Sequence, residues 1–166
     1  MFVLESPRLT FRHLAPGDLG DLAELHADPR VMRYMGGVRT RDETWESLQR
    51  IRRGYGEHRF GLYATMLKSN GKFIGRCGFI RWSIEGRPEI EVAYALTGEH
   101  WGQGLATEAA RALVRFGFVQ LKAERLISLI HPENASSVRV AEKAGLKFDR
   151  EVEINGVQVR LHLASV

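Results

Sequence analysis

The chain has 166 residues, 44% of them hydrophobic and 27% charged, with a formal net charge of +4 at pH 7 and one cysteine, Cys77. That length suits a single domain, 1–166, whose core needs no disulfide or metal staple, and a lone cysteine excludes an internal disulfide framework. No stretch nears the roughly 18 consecutive apolar residues of a membrane span, the opening MFVLESPRLTFRHL lacks a secretory pattern, and the basic residues are scattered; a cytoplasmic protein without membrane or specific nucleic-acid partners is expected.

In chain order, residues 8–14 (RLTFRHL) alternate as a half-buried strand does, with Leu9, Phe11 and His13 on one side. Asp18 and the spacing of Leu19, Leu22, Ala23 and Leu25 predict a first helix that stops near Asp28-Pro29, because the residue before proline is pushed out of the helical region. Thr40 with Glu43 three residues on is a capping box, opening a helix that carries Trp45, Leu48 and Ile51 and ends at Gly54. Strands over 61–68 and 72–82 flank Asn70-Gly71, a two-residue hairpin signal. Another strand follows at 89–97 (EIEVAYALT).

Next comes EHWGQGLAT, two glycines directly before a helix with Leu105, Ala109, Ala112, Leu113 and Phe116 on one face. Arg125–Ile130 reads as a strand, Asn134–Ala144 as a helix closed by Gly145, and 147–154 with 157–163 as a hairpin turning at Asn155-Gly156. The strand–helix–strand unit over 89–130 requires a parallel pair with a right-handed crossover. The hairpins on either side require antiparallel neighbours. The expected class is α+β (mixed α/β), a mixed, mostly antiparallel sheet with about four helices.

A glycine-rich entry to a helix is either a plain turn or a phosphate site, where unpaired N–H groups and the helix dipole meet an anion. A dinucleotide fingerprint needs a third small residue and an acid closing the next strand. Here Thr107 follows Leu105-Ala106, and Glu124 precedes the strand instead of ending it. The G-K-[ST] ending of a nucleotide triphosphate loop is also missing.

Trp101-Gly102-Gln103-Gly104-Leu105-Ala106-Thr107-Glu108-Ala109 is followed by Asn134-x-x-Ser137 and Glu142-Lys143-x-Gly145. Upstream stand Glu5-Ser6-Pro7-Arg8-Leu9-Thr10-Phe11-Arg12 and Ala27-Asp28-Pro29-Arg30-Val31-Met32-Arg33-Tyr34-Met35. In this order and spacing the chain resembles the GCN5-related N-acetyltransferases (GNAT), and more narrowly their ribosomal-protein N-terminal (RimJ/RimL-like) branch. The resemblance implies a transferase that uses acetyl-coenzyme A. Gly102, Gln103, Gly104, Leu105, Ala106 and Thr107 would hold its pyrophosphate. The backbone of Ala95 and Leu96 would pair with the pantetheine arm in a slot between splayed strands, and Asn134 would bond the pantetheine at the slot's mouth. Asn134 is equally placed to be a helix N-cap.

Acetyl transfer to an amine needs a base, an oxyanion partner and a leaving thiolate. An α-amino group with pKa of about 7.7–8.0 is roughly 10% neutral at pH 7, so a peptide N-terminus needs only a modest base. Glu91 is the candidate: it shares a strand face with Ala93 and Ala95 and aligns with the glutamate of the branch's E-I-G-Y pattern, here Glu91-Val92-Ala93-Tyr94. Glu89 points the same way. Many members place a tyrosine acid where this chain has Ala141, so Ser137 is the group implied to assist the thiolate, with a backbone N–H at 94–96 for the oxyanion.

Cys77 reads as buried packing, His131 as a strand-end residue, and Trp45, Trp82 and Trp101 as core or slot walls; no metal cluster is expected. Arg33, Arg39 and Arg41 suggest an acidic acceptor. Three functions stand side by side: acetylation of a protein or peptide N-terminus, acetylation of a small amine (polyamine, aminoglycoside or amino-acid-like), and non-catalytic acyl-coenzyme A binding. A homodimer stays open.

Overall fold

A computed structural model describes residues Met1–Val166. Its frame is one eight-stranded sheet, β1 (Leu4–Glu5), β2 (Leu9–His13), β3 (Leu62–Leu67), β4 (Phe73–Ile84), β5 (Arg87–Leu96), β6 (Arg125–Ile130), β7 (Lys147–Ile154) and β8 (Val157–Ser165), in the spatial order β1-β2-β3-β4-β5-β6-β8-β7. Every pair is antiparallel except β5 and β6, which are parallel and joined by the crossover helix α4 (Leu105–Val119). Helices α1 (Leu19–Ala27), α2 (Pro29–Met32) and α3 (Arg41–His58) precede the long strands, and α5 (Ala135–Lys143) follows β6.

Alternation along the strands sorts side chains to two faces. Val92 and Leu96 of β5 join Leu105, Ala109 and Leu113 of α4 in the larger core cluster. Ala95 instead joins Leu22, Leu25, Met32 and Leu48 of α1, α2 and α3 in a second cluster. The sheet is thus a partition. Even-numbered side chains of β5 look toward α4, and odd-numbered ones look toward α1–α3.

Several turns differ from their sequence reading. The Thr40–Glu43 capping box forms, but α3 runs through Gly54 to His58 and stops at Arg59, whose φ of 64° is left-handed. Helical hydrogen bonds carry across Gly54, whose cost of roughly 1 kcal/mol is small against the packed face. Trp45 lies on the outer face of α3, 42% exposed, rather than in the core. Asn70-Gly71 closes a longer loop: Gly71 N donates to Leu67 O and Leu67 N to Lys72 O, while Asn70 Oδ1 accepts from Lys72 N. The extra length accompanies an irregularity at Thr65/Met66 in the β3–β4 register. The two-residue turn lies one hairpin later, at Glu85-Gly86 (φ 52° and 77°), between β4 and β5. Asn155-Gly156 turns as its sequence requires, with φ 50° and 79°.

Candidate active site

The glycine loop adopts a backbone that only glycine takes readily. Gly102 and Gly104 both take left-handed φ (73° and 75°), and Gly104 is the N-cap of α4, with no side chain bonded to the helix's first N–H groups. The first turn of α4 therefore presents its donors outward, the arrangement that favours an anion.

A brace from the chain's beginning holds this loop. Glu108, in the first turn of α4, accepts from Ser6 Oγ (2.6 Å), Arg8 N (2.7 Å) and Arg8 Nε (2.7 Å), and Arg8 Nη1 donates to Gln103 O in the loop itself (2.9 Å). These contacts hold the Glu108 carboxyl below the usual glutamate range against the opposing effect of its partial burial. Ser6-Pro7-Arg8 is thereby a positioning element, a role that local spacing could not reveal because about 100 residues separate the partners. Beside it a cleft of about 920 Å³ carries Arg8, Thr107, Arg111, Arg115 and Lys143 on its lining. Glu108→Gln, which leaves Oε1 able to accept but removes the charge facing Arg8, is expected to weaken coenzyme A binding about three- to tenfold by titration calorimetry, with a smaller effect on kcat.

The parallel strands part almost at once. Their register pairing is confined to Glu91↔Ile127. A continuing ladder would next join Val92 O to Leu129 N. Instead Val92 O accepts from Ser128 Oγ (2.8 Å), and Leu129 N donates to Glu91 Oε1 (3.3 Å). The Glu91 side chain thus takes up the backbone bond lost at the fork. Its other oxygen accepts from Trp82 Nε1 at 2.6 Å, and Glu91 is 8% exposed. Burial raises its carboxyl to about 7, against the opposing pull of Trp82, the Leu129 N–H and Arg76. A carboxylate poised near neutrality in a fork between strands has the properties of a general base.

The phase of the β4–β5 ladder sorts the backbone groups beyond the fork. Thr97 N donates to Ile74 O, so odd-numbered residues of β5 spend their backbone groups on β4 and even-numbered ones face the gap. Ala95 is accordingly committed to β4: its carbonyl lies 2.1 Å from where a Cβ on Gly75 would sit. The backbone groups that face the gap are therefore those of Tyr94 and Leu96 rather than those of Ala95. The Leu96 carbonyl is itself taken by Trp101 Nε1 (2.9 Å), leaving its N–H directed at the gap.

Asn134 and Ser137 come to the other side of the gap. Asn134 Oδ1 accepts from Ser137 N (3.2 Å), the N-cap bond of α5. Ser137 Oγ donates to Tyr94 OH (3.1 Å), and Tyr94 OH donates to Ser137 O (2.9 Å), tying β5 to α5. Burial pushes the Tyr94 phenol well above its ordinary range. The sequence places Tyr94 only through its backbone; its hydroxyl's tie to Ser137, 43 residues on, is not legible from local pattern. Across the mouth of the fork Tyr34 stacks on His131 at 4.9 Å. Glu89, 2% exposed, is not a second base, because Arg125 Nη2 stands 2.7 Å from Oε1. Cys77 is fully buried and burial raises its thiol to about 11, which makes it packing rather than a nucleophile.

A helix entry stripped of side chains, a forked parallel pair and a buried glutamate at the fork fit the acetyl-coenzyme A site that the resemblance implies. The acetyltransferase (GNAT) domain family matches residues 8–147, and the chain belongs to that family. It is 32% identical over 154 residues to an uncharacterised N-acetyltransferase, p20, of Bacillus licheniformis, covering 91% of this chain and 84% of that one. An acetyltransferase crystal structure from Agrobacterium tumefaciens superimposes with a TM-score of 0.86 at 27% identity, over 98% of this chain and 94% of the other. RimL, a ribosomal alpha-N-protein acetyltransferase solved with coenzyme A, shares the fold at a TM-score of 0.82 and 15% identity, over 100% and 98% of the two chains. The protein is an N-acetyltransferase, and acetyl-coenzyme A is its co-substrate.

Proposed function

We propose that the enzyme acetylates an α-amino group by direct attack of the bound amine on the thioester, with Glu91 as base. The observation that carries this reading is the Glu91 carboxyl at the fork, raised to about 7. A base raised by burial is well suited to an α-ammonium of pKa about 7.7–8.0, which asks less of it than a lysine ammonium near 10.4. The likeness in fold to RimL, a protein α-amino acetyltransferase, agrees with it.

Acetyl-coenzyme A supplies the activated acyl group. Gly102–Thr107 and the first N–H groups of α4 would receive its pyrophosphate, with the basic cleft of Arg8, Arg111, Arg115 and Lys143 beside them. Tyr94 and Leu96 would pair with the pantetheine through backbone groups facing the gap, with Asn134 opposite. The Tyr94 N–H is the donor best placed for the charge that develops on the carbonyl oxygen. Ser137 and Tyr94 spend both hydroxyl protons on each other and on the Ser137 carbonyl, so one of these bonds would have to turn toward the leaving sulfur for the pair to assist it. Because a thiol of pKa about 8.5 already leaves well, Ser137→Ala is expected to lower kcat less than tenfold, read by single-turnover kinetics.

The test is thiol release from acetyl-coenzyme A against a panel of peptide N-termini, free amino acids, lysine side chains, polyamines and aminoglycosides. Release with α-amines above all others supports the reading. Tight coenzyme A binding without release from any amine would instead mark a binding module.

A further inference from the structure

Arg76 of β4 is 5% exposed, and no carboxylate forms an ion pair with it. Its Nε donates to His26 Nε2 at 3.0 Å, and Nη2 approaches only the sulfur of Met35, at 3.8 Å. His26, 0% exposed, has its other ring nitrogen 3.1 Å from Thr44 Oγ1. Burial and the nearby Arg76 and Arg39 hold the imidazole down to about 3, so it orients the guanidinium as a neutral acceptor and returns no charge. A second guanidinium, Arg39, is half-buried on the same side and bonds Ser47 Oγ at 3.4 Å. Two cations thus share an interior region with no carboxylate at ion-pair distance; the anions that act on them, Glu91 on Arg76 and Glu43 on Arg39, stand farther off. A buried charge with no counter-charge at ion-pair distance is costly to hold, and a ligand carboxylate would lower that cost.

The strand register places this charge relative to the chemistry. Arg76 pairs with Ala95, Gly78 with Ala93 and Ile80 with Glu91. Side chains of these odd β5 positions lie on the α1–α3 face, so Arg76 and Glu91 share that face, and the rung between them carries only Gly78 and Ala93. Four residues of strand separate the two rungs, about 14 Å along the backbone, a span that suits an acceptor whose carboxylate stands several bonds from its amine. Over Arg76 lies the α2–α3 loop with Met35, followed by Gly36 and Gly37 at φ 88° and 84°. An unbranched thioether is a soft cover that a ligand can displace.

We propose that the acceptor amine carries a carboxylate, which docks on Arg76 while the amine reaches the Glu91 end of the same face. The proposal rests on the α-amino acetylation reading and narrows it to acidic acceptors: a peptide N-terminus that docks through an acidic side chain at or near its first residue. It sets the enzyme apart from polycation acetylation, since a polyamine or aminoglycoside would bring further positive charge beside Arg76 and Arg39. It also shifts the basis for an acidic acceptor from the exposed Arg33 and Arg41 to a buried residue on β4.

The experiment compares matched pairs on the intact enzyme: short peptides beginning with Asp or Glu against the same peptides beginning with Asn or Gln, and peptides with the acidic residue second against their amide counterparts. Binding is read by calorimetry on the enzyme saturated with coenzyme A, and acetylation by thiol release with acetyl-coenzyme A in its place. In one arm the acid form is expected to bind at least about tenfold more tightly than its amide, with the difference in KM rather than kcat. Arg76→Gln is expected to reduce that preference to within about twofold while coenzyme A affinity stays unchanged, and Arg76→Lys to retain part of it. Equal binding of acid and amide by the wild-type enzyme in both arms overturns the proposal, whether or not Arg76→Gln folds. A preference that survives in folded Arg76→Gln overturns it too. If acids bind selectively yet no amine is acetylated, the docking proposal stands and the catalytic reading fails.

Discussion

Glu91→Gln is expected to lower kcat/KM about 100-fold at pH 7, the scale at which a positioned general base operates. In the wild-type enzyme the rate should rise with pH and level off above about 7, as the buried carboxyl loses its proton. The glutamine variant should lose that inflection and recover part of its rate above pH 8, where the acceptor amine deprotonates unaided. Stability supplies the control. The native carboxyl is raised to about 7, so the folded state holds a proton that the unfolded chain releases between the ordinary glutamate value and that point. The stability linked to this proton is full below the ordinary value and is lost as pH rises through about 7. Glutamine never ionises. The variant should therefore be at least as stable as wild type at pH 8 by urea titration, which separates lost chemistry from lost fold. An unchanged rate with an unchanged pH profile would remove Glu91 from the mechanism.

The second large effect is expected from Gly104→Val. At φ 75° a β-branched residue is strained by at least the 1–2 kcal/mol that any Cβ meets in the left-handed region. No heavy atom other than Arg8 Nη2, at 3.6 Å, lies near the added Cβ, so the cost falls on backbone conformation rather than on packing. Relief requires Gly104 to leave the left-handed region, which turns the loop donors away from a bound pyrophosphate. Coenzyme A affinity should fall at least about tenfold while thermal stability drops only modestly. Full affinity in a folded Gly104→Val would show that the loop is merely a turn.

Much of this was legible along the chain because it is local. Thr40 and Glu43 bond each other three residues apart, Asn134 caps the helix it opens, and Gly102 and Gly104 announce left-handed backbone before a helix. Hairpins were harder. Asn70-Gly71 carried the stronger turn signal, yet the tight turn formed at Glu85-Gly86, because the β4–β5 register and not the dipeptide fixes where the chain reverses. Glu91 could be placed on a face by alternation. Its burial could not, since that depends on Trp82 one strand away and Leu129 across the fork.

Periodicity, caps and turns thus determined the elements, their order, the parallel crossover and the donor loop, because each is written in residues close together in sequence. Tertiary structure decided which groups meet. It spent the Ala95 backbone on β4 and turned that of Tyr94 toward the gap, through the phase of a ladder no single strand reveals. It brought Ser6 and Arg8 to a helix about 100 residues away, and it left Arg76 buried beside a neutral histidine. A charge's cost and purpose are set by what surrounds it, and for Arg76 the surroundings come from α1, the α2–α3 loop and β5 at once.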